Sequence, residues 1–105
     1  MDETLRKQIE DAIKNNKIFL YMKGNEDFPQ CGFSAQAVEI LKSYQVPFKT
    51  FNVLEDDAIR QAIKEYADWP TIPQLYINGE FVGGCDIMME LHQSGELKRL
   101  IDSTR

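Results

Sequence analysis

A single thiol at the start of a predicted helix is the residue of this sequence with the clearest chemistry. Cys31 follows a loop-forming stretch, residues 23–30, that is rich in Gly, Asn, Asp and Pro. Apolar residues then recur at helical spacing from Phe33 to Leu41. Backbone N–H groups are unpaired in the first turn of a helix, and the helix dipole is positive there. We therefore expect Cys31 to ionise readily and to act as a nucleophile or as a metal ligand.

Ser34 occupies the position at which a Cys-x-x-Cys motif has its second cysteine. Residues 31–34 are Cys-Gly-Phe-Ser, so this segment cannot close a local disulfide. The other cysteine of the chain, Cys85, lies far away in the sequence. Thiol chemistry at Cys31 therefore needs a second thiol, either from Cys85 or from another molecule.

Two further segments are predicted to converge on this thiol. Residues 69–73, Trp-Pro-Thr-Ile-Pro, precede a predicted strand, and a turn of this kind favours a cis peptide bond before Pro73. Such a bond would leave the backbone of Ile72 free to pair with an extended peptide. Residues 83–86, Gly-Gly-Cys-Asp, end a strand and begin a helix, where glycines permit close approach and a helix N-terminus binds carboxylate. The carboxylate of Asp86 is able to accept from an amine.

Basic residues form the third segment. Lys23 ends a predicted strand beside the thiol, where a cation both lowers the pKa of a cysteine and binds a carboxylate. Arg60 and Lys64 lie one turn apart on a predicted helix. We interpret Lys64 as a solvated helix charge, whereas the spacing leaves Arg60 open between ligand contact and surface charge. A ligand with one amine, two carboxylates, an extended peptide body and a thiol matches all three segments, and glutathione has these groups.

The elements that must position these residues follow from the hydrophobic pattern. The predicted order begins with a helix from Leu5 to Ile13, a strand at 17–22, a helix from Cys31 that ends before Pro47, and a strand at 48–53. A helix from Asp56 and Asp57 follows, and then a hairpin with strands at 74–77 and 81–82 around Asn78-Gly79. The last helical region starts at Asp86 and is broken at Gly95. This order predicts an α/β fold, a four-stranded mixed sheet flanked by helices on both faces, in one domain over residues 1–105.

Composition limits the classes of function. The net charge is -5 and no basic stripe is present, so we expect no nucleic-acid binding. No apolar run approaches the roughly 20 residues that span a bilayer, so no membrane insertion is expected. The acidic start resembles neither a signal peptide nor a transit peptide, and two cysteines do not make a disulfide framework. We expect a reducing compartment, the cytoplasm, with a mature organellar matrix form as the alternative.

Four linked motifs give the chain a family resemblance. They are Tyr21-Met22-Lys23-Gly24, Cys31-Gly32-Phe33-Ser34, Trp69-Pro70-Thr71-Ile72-Pro73-Gln74 and Gly83-Gly84-Cys85-Asp86. The chain resembles the monothiol, CGFS-type glutaredoxins of the single-domain kind in these motifs, in their order and in their spacing. The resemblance runs from about Leu5 to about Ile101. The resemblance implies a thioredoxin-like fold with a cis Pro73.

The resemblance also implies a ligand set. It implies that glutathione is bound by Lys23, Arg60, Ile72, Cys85 and Asp86. It further implies a [2Fe–2S] cluster that bridges a homodimer through Cys31 of each chain and one glutathione thiol on each side. Such proteins pass clusters to iron–sulfur acceptor proteins and pair with BolA-like proteins. A [2Fe–2S] cluster usually takes four thiolates, so two chains supply two through Cys31, and glutathione or Cys85 must supply the rest.

Two other classes of function remain open on the sequence. A monothiol oxidoreductase that removes glutathione from mixed disulfides would need the same residues, although the resemblance implies at most a weak glutathione-dependent thiol–disulfide enzyme. A regulatory module that reports iron or redox status through a partner is the third class. Cys85 likewise has three interpretations: a backbone contact for glutathione, a small packing residue, or a resolving thiol for Cys31.

Overall fold

A mixed sheet of four strands forms the centre of the protein. The computed structural model describes residues 1–105. The strands are β1 Ile18–Met22, β2 Lys49–Asn52, β3 Gln74–Ile77 and β4 Glu80–Gly83. Their spatial order is β2-β1-β3-β4; β2 runs parallel to β1, and β3 is antiparallel to both β1 and β4. This arrangement confirms the predicted four-stranded mixed sheet.

Five α-helices cover the two faces of the sheet. They are α1 Glu3–Asn15, α2 Gly32–Ser43, α3 Asp57–Ala67, α4 Cys85–Ser94 and α5 Glu96–Asp102. Buried side chains of α1 and α3 form one apolar cluster with the sheet, and those of α2, α4 and α5 form another on the opposite face. The prediction of helices on both faces is therefore confirmed. None of the helices is long and apolar enough to cross a membrane.

The continuous apolar sequence of β1 has a direct structural cause. All five residues of this strand are buried, and alternate side chains enter opposite clusters. Ile18, Leu20 and Met22 face α2, α4 and α5, whereas Phe19 and Tyr21 face α1 and α3. Because both faces of this central strand are covered by helices, neither face has a polar residue.

Local signals mark most element boundaries correctly. The Asp2 and Asp56 side chains accept hydrogen bonds from the first turns of α1 and α3. Asn78 and Gly79 have φ angles of 54° and 80°, the backbone of a two-residue hairpin turn. The Ile72–Pro73 peptide bond is cis, as predicted.

Several element ends differ from the prediction by one or two residues, and one short helix was not predicted. The second strand was expected over residues 48–53, but β2 ends at Asn52, and Val53–Glu55 form a short 3-10 helix. The Asn52 side chain caps this turn by accepting from the N–H of Leu54 at 3.0 Å, while the Val53 side chain is fully buried. The turn joins the end of β2 to the start of α3, the helix that carries Arg60 and Lys64.

Candidate functional site

Cys31 is the N-cap residue of α2. Its backbone is extended (φ −157°, ψ 151°), and its sulfur accepts a hydrogen bond from the N–H of Ser34, with Sγ 3.4 Å from the nitrogen. The thiol is partly exposed, and two exposed aromatic rings flank it in the sequence, Phe28 at 71% and Phe33 at 61% exposure. The helix start therefore presents the sulfur to solvent while supplying it with backbone donors, as the sequence predicted.

Several donors act on the ionisation of this thiol. Partial burial raises the pKa of Cys31, but the N–H and hydroxyl of Ser34, the N–H of Phe33 and the Lys23 ammonium act in the other direction and outweigh it. The pKa of Cys31 therefore lies below the ordinary value of a thiol. This agrees with the expectation that Cys31 ionises readily.

Ser34 connects the thiol to the end of β1. Its side chain is fully buried, and its hydroxyl accepts from the N–H of Lys23 at 3.1 Å. The same hydroxyl lies 3.6 Å from the sulfur of Cys31. Because its lone pairs receive the Lys23 N–H, its own proton is available to the sulfur. The sequence indicated a missing second thiol at Ser34 but not this link to Lys23, which joins residues eleven positions apart.

The loop before the thiol is tightly folded at Gly24. This residue has a φ of 86°, and a Cβ there would lie 2.4 Å from the carbonyl oxygen of Phe28. Its N–H donates to the Asn52 side chain at 2.9 Å, and the N–H of Gln30 donates to the carbonyl of Lys23 at 2.9 Å. The positive φ and the close backbone together require glycine. The loop thus fixes where the Lys23 side chain leaves the sheet.

A groove of about 370 Å³ lies close to Cys31, whose thiol is near enough to interact electrostatically with Lys23 and Cys85 in the groove walls. Its walls are formed by Lys23, Phe33, Arg60, Lys64, Pro70, Thr71, Ile72, Pro73, Cys85 and Asp86. The structure therefore brings together all five residues that the resemblance assigned to glutathione. Lys64 also lines the groove and is half-buried, which differs from its interpretation as a solvated helix charge. Arg60 and Lys64 lie one turn apart on α3 and consequently face the same space.

The charges in the groove suit an anionic ligand that carries one amine. Three cations, Lys23, Arg60 and Lys64, line it together with one carboxylate, Asp86, although the whole chain has a net charge of -5. Its edge is the N-terminus of α4, whose N-cap Gly84 has no side chain to bind the free backbone donors. Unpaired N–H groups at the start of a helix are a binding site for carboxylate.

Part of the groove wall is formed by residues 70–73, and together with Trp69 they make up a segment, Trp69–Pro73, that we term the strap. No backbone or side-chain hydrogen bond within the chain uses the peptide N–H or C=O of Ile72. The Trp69 ring packs against Phe81, with ring centroids 5.7 Å apart. The strap therefore offers an unpaired peptide edge, as the sequence predicted for Ile72.

Cys85 lies in the groove in a different chemical state from Cys31. Its side chain is buried, and its thiol donates to the side-chain oxygen of Gln36, with Sγ 3.4 Å from Oε1. Burial raises the pKa of Cys85, and the nearby Asp86 carboxylate and Cys31 thiol raise it further. The sequence did not single out Gln36, because only the packing of α2 against α4 brings it to Cys85.

Comparison with known proteins gives the family. The glutaredoxin family profile matches residues 18–82. The chain is 51% identical over 98 residues to the chloroplastic monothiol glutaredoxin-S7 of Oryza sativa subsp. japonica, covering 93% of this chain but only 58% of that protein's length. It is 51% identical over 102 residues to the ycf64-like monothiol glutaredoxin of Synechocystis sp., covering 97% of this chain and 95% of that protein.

A solved structure agrees with this assignment. The solution structure of reduced poplar apo GrxS14 superposes with a TM-score of 0.84 and 50% sequence identity, covering 94% of this chain and 91% of that one. The thioredoxin-like fold predicted from the sequence is therefore confirmed. By family profile, sequence identity and fold, the chain belongs to the glutaredoxin family and is related to its monothiol members.

Proposed function

We propose that this protein is a glutathione-dependent carrier of [2Fe–2S] clusters in the maturation of iron–sulfur proteins. The cluster is its cargo, bridging a homodimer through Cys31 of each chain and one glutathione thiol on each side. The observation that carries the proposal is one readily ionised thiol, at a helix N-terminus, beside a groove with the charges and the free peptide edge that glutathione requires.

The set of donors in the chain supports a shared site. No group of three or more His, Cys, Asp or Glu side chains is placed to hold a metal within one chain. A [2Fe–2S] cluster takes four thiolates, and Cys31 supplies one from each of two chains. Cys85 is poorly suited to supply another, because its thiol is buried, is bound to Gln36 and has a raised pKa. Glutathione, held in each groove, provides the remaining two.

Each part of the groove has a part of glutathione to bind. Lys23, Arg60 and Lys64 hold one carboxylate of the tripeptide, and the free N–H groups at the start of α4 hold the other. The carboxylate of Asp86 accepts from the amine, while the peptide edge of Ile72 pairs with the extended backbone. These contacts leave the glutathione thiol as the group that is free to ligate beside Cys31.

Partner proteins follow from the same proposal. The exposed rings of Phe28 and Phe33, which flank Cys31 in the sequence, support contact with another protein at the thiol, since exposed apolar patches mark protein interaction sites. We place there a second copy of the chain, a BolA-like protein, or an iron–sulfur acceptor protein. The proposed setting is the cytoplasm, or the matrix of an organelle for a mature form.

Anaerobic cluster reconstitution with and without glutathione tests the proposal. The expected product is a coloured dimer with one cluster per two chains, formed only with glutathione, as measured by visible absorption, iron and sulfide content and mass in solution. Cys31→Ser should abolish assembly, and the matched control Cys85→Ser should preserve it. A coloured Cys31→Ser protein, or a wild-type protein that stays colourless with glutathione, would refute the proposal.

A monothiol oxidoreductase is the second candidate, and the lowered pKa of Cys31 favours it. The Cys31 thiolate attacks the glutathione sulfur of a mixed disulfide and releases the substrate as a thiolate. A second glutathione thiolate then attacks the Cys31–glutathione disulfide, giving glutathione disulfide and restoring Cys31. Turnover of a glutathionylated peptide by metal-free protein distinguishes the candidates, since a carrier should show negligible turnover and an enzyme rapid turnover.

A further inference from the structure

We propose that Gln74 is a positioning residue that holds the strap, Trp69–Pro73, in the shape that receives an extended peptide ligand. This inference rests on the proposed binding of glutathione in the groove. Gln74 itself does not line the groove; it lies at the start of β3 with no exposed surface. Its effect on the ligand is transmitted through the two strap carbonyls that it binds.

The side-chain amide of Gln74 has a partner on every side. Its nitrogen donates to the carbonyl oxygens of Trp69 at 3.1 Å and of Thr71 at 3.3 Å. Its oxygen accepts from the Tyr76 hydroxyl at 3.1 Å. A primary amide has two donor hydrogens, so this single side chain satisfies both strap carbonyls at once. The strap has no backbone hydrogen bond of its own to a strand or helix except the one from the N–H of Trp69 to Lys64.

Binding these two carbonyls determines which peptide groups remain for a ligand. The carbonyls of Trp69 and Thr71 are occupied by Gln74, whereas the N–H and C=O of Ile72 are unpaired. Without the amide, both carbonyls, which are partly shielded from water, would lose their hydrogen-bond donor, and an unpaired polar group shielded from water is costly. The strap would then rearrange, and the free edge at Ile72 would lose its fixed position.

The strap also sets the width of the groove. A Cβ on Gly84 would lie 3.3 Å from the carbonyl oxygen of Pro73 and 3.3 Å from Nε1 of Trp69. Nε1 of Trp69 is buried and has no hydrogen-bond partner, so packing alone keeps the indole in place. Since the strap packs closely against Gly84, fixing the strap through Gln74 also fixes its distance from the start of α4.

Binding of S-methylglutathione tests this inference, because the analogue has the peptide body and charges of glutathione but no free thiol. Gln74→Leu removes both bonds to the strap and should weaken binding by at least about tenfold. Tyr76→Phe is the matched control, since it deletes the bond to the amide oxygen and leaves both strap bonds intact. It should lower thermal stability and leave affinity within about twofold of the wild type.

Gln74→Glu provides a second test, the dependence of ligand affinity on pH, which a purely structural role of Gln74 would not produce. A buried carboxyl has a raised pKa, and its protonated form has one O–H donor, whereas its ionised form has none. The affinity of this variant, relative to wild type at the same pH, should therefore improve as the pH falls from about 8 to about 5. This variant also carries the test if Gln74→Leu does not fold.

The possible outcomes separate this inference from the proposed function. Loss of affinity in Gln74→Leu, retention in Tyr76→Phe and pH-dependent recovery in Gln74→Glu would support a positioning role. Folded Gln74 variants that bind like the wild type at every pH would overturn it and leave glutathione binding intact. A wild-type protein that does not bind the analogue would refute the proposed function and this inference together.

Discussion

Replacing Ser34 by alanine should raise the pKa of Cys31 while leaving the thiol in place. The substitution removes the hydroxyl that lies 3.6 Å from the sulfur and keeps the N–H of residue 34, which donates to the same sulfur at 3.4 Å. Because the hydroxyl lowers the pKa of Cys31, its loss favours the protonated thiol. The change therefore isolates one donor among the several that act on this residue.

The size of the effect follows from the geometry. A hydrogen bond to a charged group contributes about 1.5 to 3 kcal/mol in general. Here the contact is long and the thiol is partly exposed, so we expect about 1 kcal/mol, or about 0.7 pKa units. The thiolate fraction below the pKa then falls about fivefold, and the greater nucleophilicity of a more basic thiolate recovers about twofold of the rate. Alkylation should consequently slow by about 2.5-fold.

The measurement is the pH profile of iodoacetamide alkylation in a Cys85→Ser background, which leaves Cys31 as the only thiol. Ser43→Ala is the matched control, because the Ser43 hydroxyl donates to a carbonyl at the far end of the same helix and should leave the profile unchanged. Ser34→Ala should also lower stability by about 1 to 2 kcal/mol, since it leaves the N–H of Lys23 unpaired. If Ser34→Ala lowers stability but keeps the wild-type pH profile of alkylation, the hydroxyl does not lower the pKa of Cys31 and the reasoning is refuted.

Three further perturbations have defined outcomes. The pKa of Cys31 is lower in the folded chain than in the unfolded chain, so ionisation of this thiol stabilises the fold. The gain in free energy of unfolding of wild type over Cys31→Ser, measured with urea, should be absent below the folded-state pKa, grow as the pH rises through it and be complete above the unfolded-state pKa. A difference between the two proteins that is independent of pH would contradict this. Gly24→Ala places a Cβ 2.4 Å from the Phe28 carbonyl at a φ of 86° and should destabilise the chain by about 2 to 4 kcal/mol in the same assay, and a cost near zero would show that the loop can relax. Lys64→Gln should weaken S-methylglutathione binding by about three- to tenfold at low salt and by less at high salt. The control Lys7→Gln, on α1, should not have this effect, and equal effects of the two variants would exclude a direct role of Lys64 in binding.

The sequence predicts the elements that hold the thiol because local patterns encode them. The apolar run of β1, the Asn78-Gly79 turn and the N-terminal position of Cys31 on α2 each depend on neighbouring residues. Their order restricts the fold to a mixed sheet with helices on both faces. The 3-10 turn at Val53 was missed because Val is typical of strands, whereas the cap by Asn52 is what ends β2.

The contacts that tune the site are not encoded locally. Gln74 appears in the sequence as one residue of a strand, and nothing near it shows that its amide is buried under the strap. The bond between Gln36 and Cys85 joins residues 49 positions apart, and the link from Ser34 to Lys23 depends on the start of α2 meeting the end of β1. The place of Lys64 in the groove wall likewise depends on which elements meet that face of α3, and the residues around it do not show this.

Cys31 and Cys85 have opposite environments, and this contrast determines which experiment can distinguish the two proposed functions. Cys31 has a lowered pKa and is partly exposed, whereas Cys85 has a raised pKa and is buried against Gln36. Each chain therefore offers one reactive thiol, and both functions must use a second thiol from glutathione. Thiol exchange needs only one chain for this reaction, but four thiolates around a cluster need two chains. Dimer formation that requires iron, sulfide and glutathione together is consequently the observation that separates cluster carriage from catalysis, because the same groove and the same Cys31 serve both.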